Sequence, residues 1–391
     1  RMDIKMIYFS KPFITNLEIK EIQKVLKSGV LTDGFYQNLS EKIIKKRLKS
    51  KYIALTQSCS DALELSCLLI DLKPGDEVIM PSYTFTSTAN CVALRGAKPV
   101  FIDIKANDMC IDSDQIEKMI TKKTKAIIVV HYGGKCMNLN KIIKLKKKYK
   151  LYLIEDAAHS FLAKYKNKFA GTIGDIGVFS FHETKNLVGS QGGAISINNK
   201  KFLRRIDNLL DKGTDRSSFL KDYKKQFIRE KPRKTKSKKY YSWVDIGSEF
   251  RATEIVSALI FSQLKKEKII SKKRRTIWLT YKNFFSKLNN DQISILDNEN
   301  KDHKNSYHLF ILKIKSLIFA QKFREYLQKN KIPATFHYVP LHSSLFGKKF
   351  KSGDMKVTNN IWGKIIRLPI YPELSKNQIK FILRKITKFL E

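Results

Sequence analysis

Short apolar runs alternate with helical segments through the first half of the chain, and this alternation restricts the fold more than any other feature. KYIALTQ (51–57), KAIIVVHYGG (125–134) and LYLIEDAAH (151–159) read as strands, and 76–104 supplies a strand, a loop, a helix and a second strand. SCSDALELSCLLIDL (58–72) has Ala62, Leu63, Leu65, Leu68 and Leu69 at helical spacing, and a lysine-rich helix separates the strands at 125 and 151. Strands and helices alternating at this spacing build βαβ units around a mostly parallel sheet. Ligands of such sheets bind beyond the carboxyl ends of the strands. Glu155, Asp156, His159, His131 and Lys185 fall at those ends.

DIGVFSFHETKNLVGSQGGAISIN (175–198) is the most informative stretch. Asp175 to Phe181 reads as a strand buried on both faces, since Ile176, Val178, Phe179 and Phe181 are apolar. A polar turn carrying Lys185 follows, and a second strand starts from Gly192-Gly193. A lysine leaving a buried strand suits imine chemistry, because partial desolvation lowers its proton affinity and frees the amine as a nucleophile. The small polar residues that open the helix at 58 form a potential anion site, where unpaired first-turn amides and the helix dipole favour negative charge. No GxGxxG follows the first strand and no GxxxxGK[ST] occurs, which weakens dinucleotide and P-loop readings.

At 391 residues the chain is long enough for one large and one smaller domain. The pattern turns helical from about Thr253 to Leu288, and a smaller α/β theme follows. It comprises strand 305–314, helix 316–330, strand 333–341 and a closing helix from Ser375. We therefore expect a large domain over 1–262 and a small C-terminal domain over 263–391. TNLEIKEIQKVLKSG (15–29) carries its own punctuation, with a Thr15–Glu18 capping box and Gly29 as the stop.

The formal net charge is +40, yet the lysines are spread along the whole chain. Only 221–239 is concentrated, with ten Lys/Arg against two acids, and it reads as a basic loop. No recognised module accompanies the charge, so specific nucleic-acid binding is not expected, while an acidic small substrate is compatible with it. No apolar run approaches the roughly 20 residues of a membrane span. The stretch RMDIKMIYFSKPF has no secretory-signal pattern. Five scattered cysteines without a CxxC pair argue for reduced thiols in a cytoplasmic protein and against a zinc site. His337 and His342 likewise lack metal-ligand spacing.

A lysine for a Schiff base, an aspartate for a pyridinium nitrogen and a phosphate cup at a helix start are what pyridoxal phosphate needs. At these residues the chain resembles the pyridoxal-phosphate-dependent nucleotide-sugar aminotransferases of fold type I. The blocks that carry the likeness are SCSDALE, LKPGDEVIMPSYTFTSTAN, EDAAHS, GTIGDIGVFSFHETKN, FHYVPLH and RLPIYP.

The resemblance implies that Lys185 forms the imine link and shuttles the proton, that Asp156 pairs with the ring nitrogen, and that His159 lies near the phenolic oxygen. It further implies that Phe85 stacks on the ring, and that the amides of Cys59 and Ser60 hold the phosphate with the Ser180 hydroxyl. His337 and Tyr338 are implied to face the substrate, and His182 and Arg216 are further candidates. The implied reaction moves nitrogen from L-glutamate to a nucleotide-linked 4-keto-6-deoxyhexose, in a homodimer with its active site at the interface. Two positions depart from the pattern. Gln191 precedes the double glycine where relatives have an acid, and Glu249 falls where many place an asparagine that reaches the partner's phosphate. A carboxylate there is expected to repel that phosphate.

Overall fold

Thirteen strands follow one another along the described residues. They are β1 (Tyr52–Thr56), β2 (Glu77–Pro81), β3 (Lys98–Ile102), β4 (Thr124–Val130), β5 (Tyr152–Asp156), β6 (Lys164–Tyr165), β7 (Lys168–Phe169), β8 (Ile176–Ser180), β9 (Gly193–Ile197), β10 (Ile293–Ile295), β11 (His303–Lys304), β12 (Phe310–Ile314) and β13 (Ile365–Leu368). The computed structural model describes residues 6–219, 240–288, 290–297 and 300–391, so the basic segment 221–239 lies outside the described residues.

Seven strands form the central sheet in the order β1-β9-β8-β5-β4-β2-β3. β3, β2, β4, β5 and β8 pair in parallel, and β9 runs antiparallel to both β8 and β1. β8 and β9 are buried at every residue, as their mostly apolar character, broken only by Ser180 and Ser196, allows. The registers Val130↔Asp156, Asp156↔Val178, Ser180↔Gly193 and Gly193↔Thr56 line up the carboxyl ends of β4, β5, β8 and β1 with the start of β9. That edge carries the site.

Four helices start the chain's helical layer: α1 (Asn16–Ser28), α2 (Phe35–Leu48), α3 (Cys59–Leu69) and α4 (Thr86–Ala93). α1 has the expected capping box, with the Thr15 amide donating to Glu18 at 2.8 Å, and it ends at Gly29 with φ of 68°. A 34-residue helix, Glu254–Lys287, passes unbroken through residue 262. Its first half packs Ala258 and Phe261 with Tyr36 and Val25. Its second half packs Ile277, Trp278, Tyr281 and Phe285 into a separate apolar cluster with Phe310, Phe323 and Ile382. That cluster is organised by the antiparallel sheet β10-β12-β13 and by helices Leu317–Lys329 and Lys376–Leu390.

Two expected strands are shorter or missing. The strand expected over 305–314 begins only at Phe310, because Tyr307 adopts a left-handed φ of 54° and the Ser306 amide donates to the Gly134 carbonyl instead. Residues 333–341 form no strand and make a single bridge, Thr335 with Arg367. Pro333 and Pro340 have no amide hydrogen to give a ladder. Both segments turn towards the edge of the central sheet that carries Asp156.

Candidate active site

Gly193 brings the start of β9 against the start of α3. A Cβ on Gly193 would lie 2.3 Å from the Ser58 carbonyl carbon and 2.5 Å from the Cys59 nitrogen, so only glycine permits this approach. The Ser58 hydroxyl caps α3 by accepting from the Asp61 amide at 3.0 Å, which leaves the amides of Cys59 and Ser60 without intrahelical acceptors. Ser180, directly opposite Gly193, is buried and accepts from the His182 amide at 3.3 Å. The Ser60 and Ser87 hydroxyls meet at 2.7 Å and tie α3 to α4. The result is a cup of amides and hydroxyls at a helix N-terminus, suited to a phosphate. Burial, reinforced by the Asp156 charge, pushes the Cys59 thiol well above its ordinary pKa, so it stays protonated and supplies no thiolate.

Lys185 stands in the turn after β8, where its amide donates to the His182 carbonyl at 2.8 Å. Its Nζ has no hydrogen-bond or ion-pair partner among the described residues. Burial lowers the pKa of its ammonium, the nearby Asp156 charge opposes that shift, and Arg367 adds to it. Asp156 closes β5. Its Oδ2 accepts from the Thr88 hydroxyl at 2.9 Å and its Oδ1 from the Ala158 amide at 3.1 Å. Thr84 bonds Thr88 at 2.9 Å and fixes it in turn. Burial raises the Asp156 pKa, and only these two donors and the more distant Lys185 and His131 charges oppose it. An aspartate held this way is matched to a cationic ring nitrogen. The sequence reading missed Thr88, although it lies one helical turn beyond Phe85 in the same SYTFTST block.

A wall of rings faces this pair. His159 Nε2 lies 3.3 Å from the Tyr338 hydroxyl, and its ring stacks on His337 at 5.7 Å and 14°. His337 packs on Tyr338 at 3.7 Å and bonds the Tyr132 hydroxyl through Nδ1 at 3.1 Å. His308, absent from the sequence expectations, lies 4.6 Å from His159 and meets the Asn186 side chain at 3.0 Å through Nδ1. Burial drives His159, His308 and His337 well below the ordinary histidine pKa, and neighbouring cations push the same way. The rings are therefore neutral at pH 7. Phe85 stands at the start of α4, 59% exposed, with its ring 6.4 Å from Tyr338. A flat ligand can cover that open face.

The remaining candidates go elsewhere. His182 turns its Nδ1 to the Thr184 hydroxyl at 3.0 Å on the exposed side of the Lys185 turn. Arg216 is shared between Asp33 and Asp211, each at 3.5 Å. His131 and Glu155, which also end strands, form a wholly buried pair at 2.8 Å. Glu155 also accepts the amides of Gly171 and Ile173 at 2.9 and 2.6 Å, so this pair braces the turn into β8. Glu249 is ion-paired with Lys212, which offsets the charge expected to repel a phosphate. Gln191 is exposed. Among the described residues no cluster of His, Cys, Asp or Glu could hold a metal, and all five cysteines are free.

A mostly parallel sheet with one antiparallel strand, a lysine just past β8 and a carboxylate at the end of β5 define a fold type I pyridoxal-phosphate enzyme. The chain belongs to the DegT/DnrJ/EryC1/StrS aminotransferase family, whose model matches residues 12–387. It is 34% identical over 386 residues to the uncharacterized protein MJ1066 of Methanocaldococcus jannaschii, covering 97% of this chain and 96% of that one. It is 28% identical to the UDP-4-amino-4-deoxy-L-arabinose–oxoglutarate aminotransferase of Shewanella sediminis, covering 100% and 99%. Among solved structures it matches the Helicobacter pylori aminotransferase PseC, involved in pseudoaminic acid biosynthesis, with a TM-score of 0.86 and 29% identity over 98% and 99% of the chains. The protein is an aminotransferase and pyridoxal phosphate is its cofactor. The cup, Asp156 and Lys185 fit that cofactor in kind and in order along the sheet edge.

Proposed function

We propose that this protein transfers the amino group of L-glutamate to C4 of a dTDP-linked 4-keto-6-deoxyhexose, giving dTDP-4-amino-4,6-dideoxygalactose for surface-polysaccharide synthesis. The observation that carries the chemistry is the alignment of Lys185, Asp156 and the Cys59–Ser60–Ser180 cup on one sheet edge. The resemblance in FSFHETKN and EDAAHS supports this sugar, and the relatives' names support a sugar as amino acceptor.

When bound, pyridoxal phosphate accepts the electron pair released as a proton leaves the carbon bearing nitrogen. Lys185 anchors the cofactor and then moves that proton at Nζ, and its lowered pKa keeps the amine available as a base. Asp156, oriented by Thr88, holds the ring nitrogen protonated. The amides of Cys59 and Ser60 and the Ser180 hydroxyl hold the phosphate. Neutral His159 supplies a hydrogen bond towards the phenolic oxygen, and Phe85 covers one ring face. His337 and Tyr338 border the space left for the sugar.

The active site is shared by two copies of the chain in this reading. Phe35, Tyr240, Trp243 and Ile246 are 67%, 72%, 77% and 59% exposed, and an apolar surface of this kind suits a second copy. The backbone bridge Thr56–Arg251 ties the 247–251 segment, which follows this surface, to the end of β1.

The test is incubation of the holoenzyme with L-glutamate and dTDP-4-keto-6-deoxyglucose, with the product read by proton NMR. A new axially oriented C4 amine and an equivalent of 2-oxoglutarate are expected. The name of the Shewanella relative favours a UDP-linked acceptor as the second reading. Turnover of only a UDP-linked 4-keto sugar would establish it and overturn the dTDP assignment.

A further inference from the structure

Arg367 is a half-buried cation, with a buried Nε, that meets no anion among the described residues. It lies in β13, in the smaller antiparallel sheet, and points at the ring wall of the site. Its Nη2 donates to the Thr335 hydroxyl at 2.7 Å and to the Phe336 carbonyl at 3.0 Å. Phe336 directly precedes His337 and Tyr338, the residues that touch His159. The guanidinium carbon sits 4.6 Å from the Phe9 ring centroid, which shields one face. Its Nε is buried and has no hydrogen-bond partner. No carboxylate pairs with Arg367 among the described residues, whereas Arg47, Arg205, Arg216 and Arg251 each meet one.

Even half-burying an arginine without a counter-ion carries a cost, and leaving its buried Nε donor unmet adds to it. The charge reaches the reacting centre. It lowers the pKa of Lys185, His159 and His337, and it interacts electrostatically with Tyr132, Tyr338 and Tyr83. A planar carboxylate is the ligand that this donor edge suits best, since a guanidinium fork matches its geometry. The sugar diphosphate is a poorer match, since its oxygens are arranged tetrahedrally and not in one plane.

We propose that Arg367 is the carboxylate anchor of the amino-donor site, holding a carboxylate of the amino acid beside Lys185. This inference rests on the transamination reading and names its donor-binding residue. It also accounts for the use of one cavity by two unlike substrates. The donor is fixed by its carboxylate on the small-sheet side, and the keto sugar takes the same space against His337 and Tyr338 once the oxo acid has left.

The experiment compares wild type, Arg367→Gln and Arg367→Lys as holoenzymes. Glutarate, a dicarboxylate without an amino group, is titrated against each, with the cofactor absorption as readout. In parallel, the single-turnover rate is measured over a range of L-glutamate concentrations. Arg367→Gln should weaken glutarate at least 30-fold and raise the half-saturating glutamate concentration by a similar factor. Arg367→Lys should recover part of both. L-Glutamine and isoglutamine, each lacking one carboxylate, show which end of the donor is held, because the variant loses its discrimination against only one of them. Glutarate binding within twofold of wild type in a folded Arg367→Gln protein overturns the proposal, as does a loss confined to the sugar half-reaction. If wild type binds glutarate but glutamate gives no turnover, the donor assignment falls while the carboxylate site stands.

Discussion

Thr88 shows how much the site depends on a residue that touches no substrate. Its hydroxyl is one of two donors that orient Asp156, and a valine there keeps the shape but removes the bond. Losing a hydrogen bond to a charged group costs about 1.5–3 kcal/mol, so Thr88→Val should weaken pyridoxal phosphate by roughly 10- to 100-fold. Fluorescence titration of the apoprotein with the cofactor measures this directly, and an unchanged affinity would remove Thr88 from the site.

The ring wall predicts a pH dependence. Folding depresses the pKa of His159, His308 and His337, so below about 6.5 the unfolded chain takes up protons that the native protein refuses. Stability is therefore lost as the pH falls below that value, by up to about 1.4 kcal/mol per pH unit for each histidine. His308→Gln removes one of these groups. Urea unfolding of the apoprotein at pH 7.5 and 5.5 should show a smaller loss in the variant than in wild type. Equal losses would mean that His308 is protonated in the native protein.

At the level of elements, the junction between α3 and β9 is the tightest point of the site. Gly193→Ala forces the strand away from Ser58 and Cys59. Overpacking of this kind costs about 1–3 kcal/mol. Thermal unfolding should register that loss, and cofactor affinity should fall as well, because the amides of Cys59 and Ser60 move with the helix start. A stable Gly193→Ala protein with wild-type affinity would place the phosphate elsewhere.

The same elements show what could be read from the sequence. The large sheet was legible because its strands are short apolar runs separated by capped helices, and β8, β9, α1 and α3 lie within a residue or a few of their expected bounds. The donor side was legible only through the resemblance, which pointed to His337 and Tyr338. Residues 305–309 and 333–341 are rich in β-forming residues, yet tertiary hydrogen bonds and prolines hold them as irregular backbone that delivers His308, His337 and Tyr338 to the site. Glu155 and His131 had the right position in the sequence, but each turned out to satisfy the other inside the core. Arg367 opens the RLPIYP block, but nothing in that block announced a role for it, since only the fold brings its donors to the ring wall.

For the whole molecule, the charge of +40 is partly balanced locally around the site. Arg216 and Arg251 are held by Asp33, Asp207 and Asp211, and Lys212 by Glu249. Among the described residues, Lys185 and Arg367 face the cavity without such partners. In the proposed reading, with a cup for phosphate and an aspartate for a ring nitrogen, they make the large sheet a cofactor platform and the small sheet the side that receives the donor acid. The long helix Glu254–Lys287 packs in both halves of the molecule, so the two sides of the cavity share one rigid member.

The most direct measurement is the visible absorption spectrum of the protein with pyridoxal phosphate, before and after L-glutamate and then after a dTDP-linked 4-keto-6-deoxyhexose. A band that bleaches with glutamate and returns with the sugar, and that is absent from Lys185→Ala, is the result this account predicts. A band that persists in Lys185→Ala, or one that glutamate leaves unchanged in wild type, would contradict it.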